Sequence, residues 1–213
     1  MVQFVSGPNS RAVRDRLFEE LDVLYTSERL RGRVAVDVGA GDLVTAERLV
    51  VRYGMSVDAV DVVLPESRVV TTVTCDLDGE WLLPGESYDL AVSTSVVEHL
   101  ENPYHFFREL HRVLKPEGLA IVSTHDINHY WSKLHFLLTN QHKPFVWKCC
   151  TAVGDHRMAL NEEWLRWIAE REGFVVVKVF YGNPALKVLP FVRPFTPRWN
   201  WACQETFLVV RKV

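Results

Sequence analysis

The sequence predicts a doubly wound α/β protein, a largely parallel sheet with helices on both faces, and three observations predict it. Short β-branched apolar runs alternate with segments of helical period along most of the chain. The first run ends in a Gly-Ala-Gly turn that opens straight into a helical pattern. The composition is that of one packed unit: 213 residues, 48% hydrophobic and 24% charged, with 11 Gly and 10 Pro. That is too short for two cores of ordinary size and too apolar for disorder, so residues 1–213 are read as a single domain.

Each element follows from local pattern. Asn9 or Ser10 can cap a helix running to about Arg31, in which Val13, Leu17, Leu21 and Leu24 recur at spacings of three and four and make it a covering helix. Val34 to Val38 reads as the first strand, Gly39-Ala40-Gly41 as a tight turn, and Ala46, Leu49 and Val50 as the inner face of the next helix. Further strands are predicted at Val57 to Val62, Val69 to Cys75 and Tyr88 to Thr94. Asn102-Pro103 starts a helix through Leu114, since proline suits the first turn, and Lys115-Pro116-Glu117-Gly118 stops it before a fifth strand at Leu119 to Thr124. From Asp126 to Asp155 the regularity breaks into an aromatic and histidine-rich insert over the active face. A helix at about Asn161 to Arg171, a strand at Phe174 to Tyr181, a Pro-rich connection and a last strand from about Gln204 to Lys212 close the chain.

Charge and cysteine usage narrow the function classes. Lys plus Arg total 24 against 27 Asp plus Glu, a formal net charge of -3, which leaves no overall basic field for a nucleic-acid backbone. Cys75, Cys149, Cys150 and Cys203 fit neither a disulfide framework nor a C-x-x-C zinc spacing. The N-terminus lacks a secretory pattern and no apolar run is long enough to span a bilayer. A cytoplasmic protein is expected. Peripheral membrane contact stays open, because Leu186 to Phe195 is apolar and basic enough to lie on a lipid-linked substrate or a second subunit, or equally to pack as a loop.

In an open α/β sheet the ligand sits at the carboxyl ends of the strands, so the first strand-to-helix turn, Asp37 to Leu43, is the place to read. Gly39 and Gly41 let the backbone bend and approach a ligand. A diphosphate needs a bare helix N-terminus and a third glycine; Asp42 and Val44 stand there instead, which counts against a dinucleotide oxidoreductase. Asp37 and Asp42 would favour a ligand that is cationic near the turn. Asp61, ending the second strand, is placed for ribose hydroxyls, and Asp76, after the third, for an adenine amino group, although Asp78 can take that role. Ribose, adenine and a cationic tail together describe S-adenosylmethionine.

The ordered set VAVDVGAGD (Val34 to Asp42), VDAVDV (Val57 to Val62), CDLDG (Cys75 to Gly79), YDLAVSTSVVEHLENP (Tyr88 to Pro103) and RVLKPEGLAIVST (Arg112 to Thr124) resembles the class I S-adenosylmethionine-dependent methyltransferases. The resemblance implies a seven-stranded Rossmann-like sheet closed by an antiparallel hairpin. It also implies that Asp37, Gly39 and Gly41 hold the methionine moiety, Asp61 the ribose, and Asp76 and Leu77 the adenine, with Ser93 to Ser95 lining the cleft. The family's usual third glycine is replaced by Leu43. SKLHFLLTN (Ser132 to Asn140) and GDHRMALNEEWLRWIAEREGF (Gly154 to Phe174) resemble, more loosely, a bacterial subgroup of these enzymes tied to cell-surface glycan pathways.

The expected reaction is methyl transfer to an oxygen of a small polar acceptor such as a sugar or glycan, since Ser93-Thr94-Ser95-Val96 stands where many amino-methyltransferases carry an Asn/Asp-Pro-Pro-Tyr signature. His125, at the end of the fifth strand, is a candidate general base, or else a histidine satisfying backbone carbonyls. Glu98-His99 resembles two of the three ligands of a metal site in quinone-type relatives, but the third position is Ser95, so no metal is expected and the pair is assigned a supporting hydrogen-bonding role, with His99 the second candidate base. His129, His135 and His156 are held as substrate-pocket residues, and Trp164 and Trp167 as core packing. The rival is a catalytically silent module that binds a partner or senses the cofactor; it predicts a pocket sealed by Trp131 or Phe136.

Overall fold

A computed structural model describes residues 8–27, 30, 32–142, 156–184 and 202–213. Helices α1 (Pro8–Ser27), α2 (Val44–Tyr53), α3 (Pro103–Val113), α4 (Tyr130–Thr139) and α5 (Glu162–Arg171) surround strands β1 (Val34–Val38), β2 (Ser56–Asp61), β3 (Thr71–Thr74), β4 (Tyr88–Thr94), β5 (Leu114–His125), β6 (Phe174–Pro184) and β7 (Cys203–Lys212). The seven strands form one sheet in the order β3-β2-β1-β4-β5-β7-β6. All neighbours are parallel except β7, which runs antiparallel to both β5 and β6. The strand order reverses between β1 and β4, and that crevice is where a doubly wound sheet takes its ligand.

The central strands β1, β4 and β5 are buried along most of their length because both faces are covered. Side chains alternate across the sheet. Val36, Val38, Ala91 and Val122 pack with Phe106, Phe107 and Leu110 of α3 and Leu165 and Ile168 of α5. Ala35, Leu90, Val92 and Ile121 pack with Leu17, Phe18 and Leu21 of α1 and Ala46 and Leu49 of α2. The predicted covering stripe of α1 is buried as expected, with Val13, Leu17, Leu21 and Leu24 all at 6% exposure or less.

Several boundaries differ from the sequence reading. Helix α1 already includes Asn9 and Ser10, so neither stands outside it as a cap. Strand β5 begins at Leu114, with no gap after α3; the predicted helix stop at Lys115 to Gly118 is an irregular strand entry, with a register shift against β4 between Tyr88 and Leu90 and Glu117 at φ 64°. Asn102 caps α3 as expected, its Oδ1 accepting from the N–H groups of Tyr104 and His105 at 3.1 Å each. Trp164 and Trp167 are not core residues: they are 54% and 46% exposed, because Leu165, Ile168 and Ala169 form the buried face of α5. Cys149, Cys150 and the stretch Leu186 to Phe195 lie outside the described residues.

Candidate active site

The β1–α2 turn is tied to its neighbour strand. Gly39 and Ala40 donate their N–H groups to the Val60 carbonyl at 2.8 and 3.2 Å, and Gly41 donates to Asp61 Oδ2 at 2.9 Å. Gly39 has φ 76°, and a Cβ placed on it would lie 2.2 Å from Val96 Cγ2, so no other residue fits. Leu43 holds the left-handed backbone (φ 63°) that a glycine would adopt freely. The conformation costs a leucine about 1–2 kcal/mol, which the burial of its side chain offsets at 1% exposure among Ala40, Ala46 and Leu49.

Of the carboxylates predicted around this turn, Asp37 and Asp61 face it and Asp42 does not. Arg14 of α1 pairs with Asp42 at 3.2 Å, and Asp42 Oδ1 accepts from Val44 N–H at 3.2 Å, so this residue serves the start of α2 and its charge is neutralised. Asp37 is 2% exposed and its Oδ2 has no hydrogen-bond partner. Burial raises its pKa to about 7 against the opposing Ala46 N–H, and Asp42 and Asp61 push the same way as burial. Ser93 is likewise buried with an unpartnered hydroxyl. Asp61 is half-buried, with Oδ2 on Gly41 and Oδ1 accepting from Val62 N–H at 2.6 Å; each oxygen keeps a second lone pair.

After β3, Asp76 is exposed and its Oδ1 accepts from Asp78 N–H at 3.0 Å. The Leu77 side chain belongs to the core beside Trp81, whose indole N–H donates to the Leu77 carbonyl at 3.1 Å, so Leu77 meets a ligand only through its backbone. Asp78 is committed elsewhere: it accepts from Glu101 N–H at 2.7 Å and lies 3.6 Å from Arg157.

The acceptor side of the crevice holds a buried ionic cluster. Glu98, in the short 3-10 turn Val97–His99, is fully buried and accepts from His125 Nδ1 at 2.9 Å and from Thr124 Oγ1 at 3.1 Å. Across the sheet, Glu205 of β7 stands opposite His125 and is also fully buried. Its Oε1 accepts from Ser95 Oγ at 2.8 Å and Ser123 Oγ at 2.7 Å, and its Oε2 lies 3.6 Å from His125 Nδ1. Burial works against a charged His125, but Glu205 and Glu98 outweigh it and raise its pKa to about 9. Glu98 is lowered because His125 overcomes its burial, whereas burial and then Glu98 itself leave Glu205 raised against the pull of His125. The ring of His156 lies 4.9 Å from that of His125 and 4.8 Å from that of His99.

This geometry bears on three expectations. With its pKa raised to about 9 beside Glu205 and Glu98, His125 favours the charged form at neutral pH, which counts against it as the expected base. Ser95, expected to line the cleft, uses its hydroxyl to hold Glu205. Among the histidines held for the pocket, His129 is buried and accepts from Ser132 N–H as the cap of α4, and His135 bonds the Gln141 carbonyl at 2.6 Å; His156 alone of those three joins the cluster. Glu205 was missed, because a glutamate in a closing strand carries no local signal of what faces it. Trp131 and Phe136, which the silent-module reading places over the crevice, are 44% and 40% exposed. Surface hollows of about 420 and 400 Å³ lie elsewhere, the first along α3 and α5 at Tyr104, Arg108 and Arg171 and the second beside α5 at Asn128, Glu163 and Arg166, and neither touches the turn.

The profile of a family described as a methyltransferase domain matches residues 10–179, and the chain belongs to that family. Its fold is similar to that of an S-adenosylmethionine-dependent methyltransferase from Archaeoglobus fulgidus, at 18% identity and TM-score 0.64 over 97% of this chain and 95% of that one. A second such enzyme, from Aquifex aeolicus, matches at 15% identity and TM-score 0.61 over 95% and 90%. Phosphoethanolamine N-methyltransferase 2 from Haemonchus contortus, solved with S-adenosylmethionine, matches at 16% identity and TM-score 0.61 over 92% of this chain and 52% of that one. No curated protein matches significantly. By family the protein carries a methyltransferase domain, and its fold is the one those S-adenosylmethionine-dependent enzymes share. Among the described residues no helix is long and apolar enough to cross a membrane.

Proposed function

We propose that the protein moves a methyl group from S-adenosylmethionine to a hydroxyl of a small polar acceptor, with sugars and glycans as the acceptor class. The observation that carries the cofactor site is the buried, unpartnered Asp37 Oδ2 beside a turn that only Gly39 can form. A buried carboxylate oxygen without a donor is costly, and a cationic amino group supplies the missing partner. Asp61 accepts the ribose hydroxyls with its remaining lone pairs, Asp76 and the Leu77 backbone meet the adenine, and Ser93 Oγ offers a further polar contact at the strand end. The bound cofactor supplies a methyl group already activated by its sulfonium, so the chain has only to align the acceptor and take one proton. His99 takes the proton, and His125, held between Glu98 and Glu205, is a positive anchor that keeps the acceptor side in place. The likeness of Ser132 to Asn140 and Gly154 to Phe174 to a glycan-pathway subgroup supports the acceptor class. Screening methyl transfer from labelled cofactor to sugar nucleotides, glycans, phenols and amines tests it; transfer to amines alone would replace the acceptor, and binding of NAD but not S-adenosylhomocysteine would replace the whole reading.

Asp61→Ala is expected to weaken S-adenosylhomocysteine by about 2 kcal/mol, or about 30-fold, the scale of a charge-assisted hydrogen bond. Turnover at saturating cofactor should stay near the parent value, because the contact is made equally in ground and transition states. Unchanged affinity in calorimetry would misplace the site.

A proton linkage follows at Asp37. Its folded pKa of about 7 lies above the ordinary 3.8, so the ligand-free protein carries a proton there at about pH 6, and a cationic ligand must displace it. Affinity for S-adenosylhomocysteine is expected to rise with pH from about 4 to about 7 and then level. Calorimetry in buffers of different ionisation enthalpy should show close to one proton released at about pH 6. Without ligand the same shift has the opposite sign: the folded state binds the extra proton, so stability falls as pH rises through that window.

A further inference from the structure

We propose that Glu98, His125 and His156, with Glu205 beside them, form a binding site for one divalent transition-metal ion of the zinc type. One ligand atom from each of the first three lies within 4.8 Å of the other two. The residues come from the turn after β4, the end of β5 and the segment before α5, so only the fold brings them together. Glu205 supplies a second, independent observation: it is fully buried, hydroxyls occupy its Oε1, and its Oε2 has no hydrogen-bond partner while lying 3.6 Å from His125 Nδ1. A metal cation bound among these groups displaces the His125 proton to solvent and takes over its positive charge, gives that oxygen its partner and lets both carboxylates ionise together.

The donor set selects the ion. Two imidazoles with carboxylates suit zinc, ferrous iron or cobalt, whereas magnesium and calcium prefer shells built of oxygen. Thr124 Oγ1 on Glu98 and the Ser95 and Ser123 hydroxyls on Glu205 already orient the carboxylates, as supporting hydrogen bonds do at metal centres. A tetrahedral site with bonds of 2.0–2.1 Å needs its ligand atoms about 3.3 Å apart, so the group must contract. His156 is only partly buried, and its movement closes the site. His99, the histidine adjacent to Glu98 in sequence, is not among the ligands; His125 and His156 take its place.

The proposal stands apart from the methyl-transfer reading, since its test uses neither donor nor acceptor. Full-length protein stripped with a chelator is titrated with Zn²⁺ by calorimetry, with Co²⁺ as an optical probe. One equivalent is expected, with a higher melting temperature, a Co²⁺ spectrum lacking thiolate charge-transfer bands, and neither effect from Mg²⁺. His156→Ala and Glu205→Gln should each weaken Zn²⁺ by tenfold or more, on the scale of about 10–100-fold for losses even behind the ligands, while His142→Ala should not. If Glu205→Gln fails to fold, the partly exposed His156 decides alone. No binding at roughly millimolar Zn²⁺, thiolate bands in the Co²⁺ spectrum, or full affinity retained in His156→Ala would each overturn the site.

Discussion

His125→Ala is expected to destabilise the fold by about 3–5 kcal/mol, the range for removing one partner of a buried charge pair. The reason is that Glu98 and Glu205 are both fully buried and His125 is the group whose ring N–H meets Glu98 and whose charge faces Glu205. Alanine leaves two carboxyl groups facing each other, with serine and threonine hydroxyls and the backbone N–H of position 125 as their remaining donors. Urea melts in the presence of a chelator measure the loss. The double variant His125→Ala/Glu205→Gln should recover part of it, because the amide removes one of the two acids and brings its own donors. A base that merely reached into the crevice would produce a different pattern, with turnover lost and stability kept. A His125→Ala protein with the parent's stability would therefore restore the general-base reading that the cluster argues against.

Gly39→Ala is expected to abolish measurable cofactor binding and to cost about 2–5 kcal/mol of stability, from two additive sources. The left-handed φ of 76° strains any residue with a Cβ by about 1–2 kcal/mol. The new methyl also enters the space of Val96, with its Cγ2 at 2.2 Å and Cγ1 at 2.9 Å, an overpacking that costs about 1–3 kcal/mol. The two sources separate experimentally. In a Val96→Ala background the clash is relieved and the φ strain is not, so the double variant should regain the overpacking part while still binding S-adenosylhomocysteine poorly. Wild-type affinity in Gly39→Ala would show that the turn does not approach the ligand closely.

The positions proposed for the cofactor could be picked out in the sequence because they sit at fixed offsets from one strand and one turn. Asp37, Gly39, Gly41 and Asp61 lie where a strand end and a glycine bend must put them, and backbone geometry needs only local information. Leu43 shows the limit of such reading: sequence flags a missing glycine, whereas the structure shows a leucine holding the left-handed backbone because its side chain is buried. Trp164 and Trp167 show another, since a helical spacing of three fits either face of α5, and only Leu165, Ile168 and Ala169 packing inward decide which face is which. Asp42 fails in a third way, because its partner, Arg14, is in another helix.

By itself, then, the sequence determined the alternation of strands and helices, the covering stripe of α1 and the glycine turn, all of which follow from spacing along the chain. The tertiary structure decided the chemistry of the acceptor side. Glu98, His125, His156 and Glu205 are separated by up to 107 residues in the chain, counting from Glu98 to Glu205, and meet because β5 lies between β4 and the antiparallel β7. A histidine between two buried carboxyl groups becomes a cation and one facing water does not, and that difference depends on burial and on neighbours across the sheet, neither of which is encoded at any single position.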